Sequence, residues 1–79
     1  MLNVKILGPG CANCKRLEAV TRKVIADLNL DAEVEEVTDM AEITRYPILA
    51  TPGLVVNEKV VSAGRIPSEA EVAAWLSEA

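Results

Sequence analysis

Apolar and polar residues alternate from the second position: Leu2-Asn3-Val4-Lys5-Ile6-Leu7 has the two-residue period of a strand with one buried face. Gly8-Pro9-Gly10 ends that strand sharply. From Ala12 the period lengthens, and Leu17, Val20, Thr21, Val24, Ile25 and Leu28 recur at spacings of three and four, one face of a helix. Asn29 is a fitting end for it, because asparagine tolerates the left-handed angles that close many helices. Ala32 to Val37 reads as a second, shorter strand. Asp39 with Glu42 three residues on is a capping-box pattern, predicting a short helix that stops before Pro47. Leu54-Val55-Val56 and Lys59-Val60-Val61 flank Asn57-Glu58, which predicts a hairpin with a two-residue turn. Glu58 suits that turn poorly if it is type I′, since the second position needs positive φ, so strain or a longer loop is expected there. Ser68 and Glu71 repeat the capping box and open a last helix with Val72, Trp75 and Leu76 facing inward.

The predicted order is β-α-β-α-β-β-α. The first strand, helix and second strand form a right-handed crossover, so those strands should lie parallel. The hairpin then completes the sheet with an antiparallel pair. The expectation is an α/β fold with a four-stranded mixed sheet flanked by three helices, in one domain spanning residues 1–79.

Composition narrows the classes. In a chain of 79 residues all apolar elements must share one small core, since folding buries only about 60% of the unfolded surface at this size. Of the residues, 51% are hydrophobic but only Tyr46 and Trp75 are aromatic, so the core must be aliphatic. Apolar runs fall far short of the roughly 18 residues of a membrane span, and no basic-then-apolar leader precedes the first strand. A cytoplasmic protein without membrane contact is expected. The net charge of −4, with no basic stripe interleaved with aromatics, argues against nucleic acid. Charge is unevenly placed: Lys15, Arg16, Arg22 and Lys23 follow the cysteines, while Asp31 to Glu42 is acidic. Such clusters are ordinarily solvated helix faces; the sharper reading is that the nearest cations help hold a thiolate.

Cys11-Ala12-Asn13-Cys14 is the one evident chemical constellation. It follows a strand and a tight turn and opens a helix, whose N-terminus presents unsatisfied N–H groups and the positive end of the macrodipole. A thiolate at Cys11 would be stabilised there. Cys14, one turn on, would point back at the same sulfur, so a disulfide could close locally. Cys11, nearer the solvent, should then attack a substrate disulfide and Cys14 should resolve the mixed disulfide. Lys15, beside Cys14, would add a screened favourable field. Other readings stand beside this one. A structural disulfide is disfavoured by a reducing compartment and by its short loop. Zinc would need ligands from a second subunit, because the chain has two cysteines and no histidine. A Cu(I)-type carrier could use two thiolates alone, although Pro9 stands where copper chaperones usually carry methionine. A redox-inactive binding module is the remaining alternative.

Taken together, Gly8-Pro9-Gly10-Cys11-Ala12-Asn13-Cys14, Thr51-Pro52-Gly53-Leu54-Val55-Val56-Asn57 and Ala63-Gly64-Arg65-Ile66-Pro67-Ser68 resemble the thioredoxin fold. The match covers essentially the full chain and is closest to the short, glutaredoxin-sized proteins called small redox-active disulfide proteins. The resemblance implies a protein-disulfide oxidoreductase or electron carrier with Cys11 as nucleophile and Cys14 as resolving thiol. It implies no cofactor beyond the Cys11–Cys14 disulfide, a flavin or iron–sulfur disulfide reductase as electron donor, protein disulfides as substrates, and a monomer. Pro52 would be cis, leaving the backbone of Thr51 free to pair with an extended substrate segment; Gly10 and Gly64 would complete the substrate surface.

The sequence also departs from the family pattern. Gly10 replaces the tryptophan that thioredoxins carry before the first cysteine, and Ala12-Asn13 replaces Gly-Pro. The Cys-Pro-Tyr-Cys centre of glutaredoxins is absent, which puts glutathione dependence in doubt. Six residues before Cys11, where thioredoxins place a buried acid, stands Lys5. Lys5 is expected as a strand residue whose ammonium reaches water, or else as a partly buried neutral amine tuning the site as a base.

Overall fold

The computed structural model describes residues 1–79. Seven elements follow one another: β1 (Leu2–Leu7), α1 (Ala12–Asp27), β2 (Ala32–Val37), α2 (Met40–Ile43), β3 (Gly53–Val56), β4 (Lys59–Ala63) and α3 (Glu69–Glu78). They build a four-stranded sheet in the order β2-β1-β3-β4. β1 runs parallel to β2 and antiparallel to β3, and β3 pairs antiparallel with β4. This is the α/β arrangement expected from the pattern, a four-stranded mixed sheet with three helices.

Alternation along β1 assigns the two faces of the sheet. Val4 and Ile6 point to one side and join Leu17 and Val24 of α1, Leu54 and Val56 of β3, and Val72 and Leu76 of α3 in an aliphatic core. Leu7 points to the other side, where it packs with Val55 and with Ile43 of α2. α1 and α3 therefore cover one face and the short α2 the other. Each core leucine or valine sequestered this way contributes about 1.5–3 kcal/mol relative to exposure.

The predicted helix face needs one correction. Leu17, Thr21 and Val24 are buried and Val20 and Ile25 partly so, but Leu28 is 46% exposed. Leu28 is the C-cap of α1, beyond its last full turn, and Asn29 at φ 53° then turns the chain away. Trp75 is likewise only partly buried, at the edge of the core that Val72 and Leu76 enter fully.

The hairpin turn is two residues long, as expected, with Asn57 at φ 49° and Glu58 at φ 66°. The misfit at Glu58 is real, and its side chain offsets it: the carboxylate takes Lys5 Nζ at 2.6 Å and the Tyr46 hydroxyl at 3.3 Å. One irregularity follows in β4. Leu54 pairs with Ser62 but Val55 with Val60, so Val61 is an extra residue. The bulge keeps Val60 against the Leu7–Val55 side while Val61 packs on the α1/α3 core.

Asp39 caps α2 by accepting the Ala41 N–H at 2.9 Å, and the helix ends four residues before Pro47. At α3 the full capping box forms: Ser68 Oγ accepts the Glu71 N–H at 3.2 Å, and Glu71 accepts the Ser68 N–H at 3.1 Å. Arg65 donates twice to the same carboxylate, at 3.1 and 2.7 Å. Its guanidinium and the Ser68 N–H hold Glu71 down at about 2.

Candidate active site at the start of α1

The chain leaves β1 at Leu7 and must reverse within four residues to enter α1. Gly10 allows this with φ +90°, a conformation that side chains disfavour, and a Cβ there would face open space. Cys11 is then the N-cap of α1, in extended backbone, and its Sγ accepts the Cys14 N–H at 3.1 Å while its carbonyl accepts the Lys15 N–H at 3.0 Å. One of the donors left orphaned at the helix start is thereby aimed at the sulfur of Cys11.

Cys11 and Cys14 are joined as a disulfide, with Cα atoms 5.0 Å apart. The two sulfurs differ in environment. Cys11 is exposed; Cys14 is 4% exposed and lies against the end of β1, so that a Cβ placed on Gly8 would overlap its sulfur. Gly8 is a site residue that the pattern did not single out, because a glycine in Gly-Pro-Gly reads simply as a turn. Nothing local in the sequence shows which atom fills the space it leaves.

The Thr51–Pro52 peptide bond is cis. Thr51 comes near the same point from the opposite direction, its Cβ 4.0 Å from the Cβ position of Gly8. Neither backbone group of Thr51 takes part in a hydrogen bond. Pro52 is buried, and its carbonyl accepts the Gly64 N–H at 2.9 Å, which ties the loop to the end of β4. Gly64 lies at φ +77°, with its Cβ position 3.2 Å from Ala50. Thr51 therefore approaches the Gly8–Cys14 contact, and Gly64 braces the loop that carries Thr51 and Pro52. Next to Thr51 opens a groove of about 310 Å³ lined by Met40, Ile43, Ile48 and Leu49, with Leu49 fully exposed.

The two lysines fall differently. Lys15 is exposed in the first turn of α1, and neither it nor Arg16 forms an ion pair. Arg22 and Lys23 are taken up by Glu18, and by Asp27 and Glu69, so of these four cations of α1 only Lys15 and Arg16, nearest the cysteines, form no ion pair.

Lys5 is not brought to the cysteines. It projects from the face opposite α1, where its Nζ bonds Glu58 at 2.6 Å and the Tyr46 hydroxyl at 3.0 Å, 5.8 Å from the centre of the tyrosine ring. The hydrogen bond to Glu58, then that to Tyr46, raises its pKa above the ordinary lysine value. The neutral-amine reading is thereby corrected: Lys5 is a held ammonium bracing the hairpin turn. Period-2 alternation had already placed it on the face away from Ile6, but its partners come from positions 41 and 53 residues away.

A carboxyl pair does lie on the α1 side. Glu36 of β2 stands beside Ile6 in register and meets Glu18, one turn beyond Cys14. The neighbouring Glu18 carboxyl raises the Glu36 pKa, while Arg22 holds Glu18 low. No group of three or more His, Cys, Asp or Glu side chains comes together that could hold a metal ion, and no helix is long and apolar enough to cross a membrane.

Residues 2–77 match the family model described as a thioredoxin domain. The chain is 38% identical over 77 residues to a thioredoxin of Methanothermobacter thermautotrophicus, covering 98% of this chain and all of that one. It is 35% identical over 72 residues to a thioredoxin of Methanocaldococcus jannaschii, covering 91% of this chain and 83% of that one.

Proposed function

The chain belongs to the thioredoxin family and is a thiol–disulfide oxidoreductase, and from that premise we propose that it carries electrons to protein disulfides through Cys11 and Cys14, all of residues 1–79 acting as one domain. The observation that carries this reading is the asymmetry of the pair: an exposed sulfur at a helix N-cap, bonded to a buried one a turn away. In the dithiol, the Cys14 N–H, the helix dipole and the free Lys15 and Arg16 favour a thiolate at Cys11. That thiolate attacks one sulfur of a substrate disulfide, and the other substrate sulfur leaves as a thiolate. The Cys14 thiol, giving its proton to the substrate thiolate already released, then attacks the Cys11 sulfur and expels the second substrate thiolate. Two electrons pass to the substrate, and the protein is left as the Cys11–Cys14 disulfide.

The unpaired backbone of Thr51 suits an extended substrate segment added as a strand, with apolar side chains seated toward Met40 and Leu49. Gly10 and Gly64 frame that surface without side chains. A flavin or iron–sulfur disulfide reductase would return the electron pair.

Replacement of Cys14 by Ser tests the assignment. The variant is expected to accumulate mixed disulfides through Cys11 in a lysate, identified by mass after non-reducing separation. Trapping through Cys14 in a Cys11→Ser variant, and none through Cys11, would reverse the roles. Two free thiols in every redox buffer would remove the function.

A further inference from the structure

Gly8 occupies a place where no other residue fits the disulfide as it stands. An ideal Cβ there would overlap Cys14 Sγ and lie 3.1 Å from Cys14 Cβ. The backbone cannot readily retreat, because the Gly8 N–H is bonded to the Val37 carbonyl at 3.0 Å beside the paired ends of β1 and β2. The φ of Gly8 is not in the left-handed region, unlike those of Gly10 and Gly64. Space, not backbone freedom, is what glycine supplies at this position.

The consequence of filling that space depends on redox state. In the disulfide, Cys14 Sγ is bonded to a sulfur that is itself fixed at the helix N-cap by the Cys14 N–H, so it has nowhere to go. In the dithiol it is the free end of a one-torsion side chain and can take another staggered rotamer. A methyl group at position 8 thus opposes the oxidised form far more than the reduced one.

We propose that Gly8 is a positioning residue for the redox couple: by leaving an empty seat under Cys14, it stabilises the disulfide against the dithiol. The same seat serves the resolving step, since Cys14 must enter it to reach the Cys11 sulfur as the substrate thiolate departs. The inference rests on the reading of Cys11 and Cys14 as a redox couple.

The test is to equilibrate the full chain and its Gly8→Ala variant with mixtures of reduced and oxidised dithiothreitol. The oxidised fraction is read by alkylation and mass. Gly8→Ala is expected to shift the equilibrium at least tenfold toward the dithiol, about 30 mV for this two-electron couple. A second comparison separates positioning from damage to the fold. Introduced with Cys14→Ala, where the sulfur is gone, Gly8→Ala should lower the melting temperature much less than it does in the oxidised parent. An equilibrium within twofold of the parent, or equal melting losses in both backgrounds, overturns the role of Gly8. If the oxidised variant fails to fold, the Cys14→Ala background decides: recovery there supports the proposal, and failure there refutes it. A parent chain that never closes its disulfide would instead overturn the redox reading itself.

Discussion

Leu17 and Leu28 share one face in the helical period, yet the structure gives them opposite consequences. Leu17 is fully buried between α1 and the sheet, one turn beyond Cys14, in the cluster containing Ile6, Leu54 and Leu76. Replacement by Ala removes three carbons from a closed core, which costs about 2–5 kcal/mol depending on how far the site collapses. A chain of 79 residues has about 4–12 kcal/mol of stability in total. A central loss of about 3 kcal/mol would lower the melting temperature by about 12–24 °C at this size. Leu28, 46% exposed past the helix end, should lose less than about 0.5 kcal/mol on the same change. Thermal and urea unfolding followed by circular dichroism, with both variants in the oxidised state, gives the comparison. The urea slope should stay constant while the midpoint moves. In the reduced Leu17→Ala protein, Cys14 should also alkylate faster, because the helix that buries it is looser. A shift below about 5 °C for Leu17→Ala, or one matched by Leu28→Ala, would refute this assignment of the core.

At the start of α3, Glu71 has its pKa lowered to about 2 by Arg65, then by the Ser68 N–H, so its contribution to stability is complete above the unfolded value near 4.5 and is lost as pH falls toward 2. Arg65→Gln should move the carboxyl titration of Glu71, followed by NMR, back up toward that unfolded value. Ser68→Ala should cost about 1 kcal/mol through loss of the cap, seen as a lower urea midpoint. In the hairpin, Glu58→Gly should melt higher than Glu58→Ala, since both lose the bond to Lys5 but only glycine relieves the left-handed φ. Glu18→Gln should lower the Glu36 pKa, because the neighbouring carboxylate charge that raises it is gone; an unchanged titration would dissolve the pairing.

Much of the site was legible in the chain because its determinants are local. Cys11 and Cys14 sit a helical turn apart, and the strand, the glycine turn and the helical period that follow each other around them are contiguous in sequence. The two-residue turn at Asn57-Glu58 and the capping box at Ser68 are likewise fixed by neighbours within four residues. Long-range pairings were less visible. Lys5 read as a candidate base because a family position held it, whereas Glu58 is brought to it by the pairing of β3 with β1 and Tyr46 by the packing of the segment after α2 against Leu7 and Val55. Leu28 kept the helical period, but exposure at the end of α1 depends on where α3 stops covering it.

The cysteine pair and the element order were thus determined by sequence alone, through periodicity and through spacing on a single helix. Tertiary structure decided how deeply Cys14 is shielded, which cations of α1 stay unpaired, and that Thr51 and Gly8 meet around Cys14. Those facts depend on sheet register, which brings positions 8, 14 and 51 to one point by pairing segments far apart in the chain. A one-residue slip in that register would exchange the faces of the sheet and undo the site.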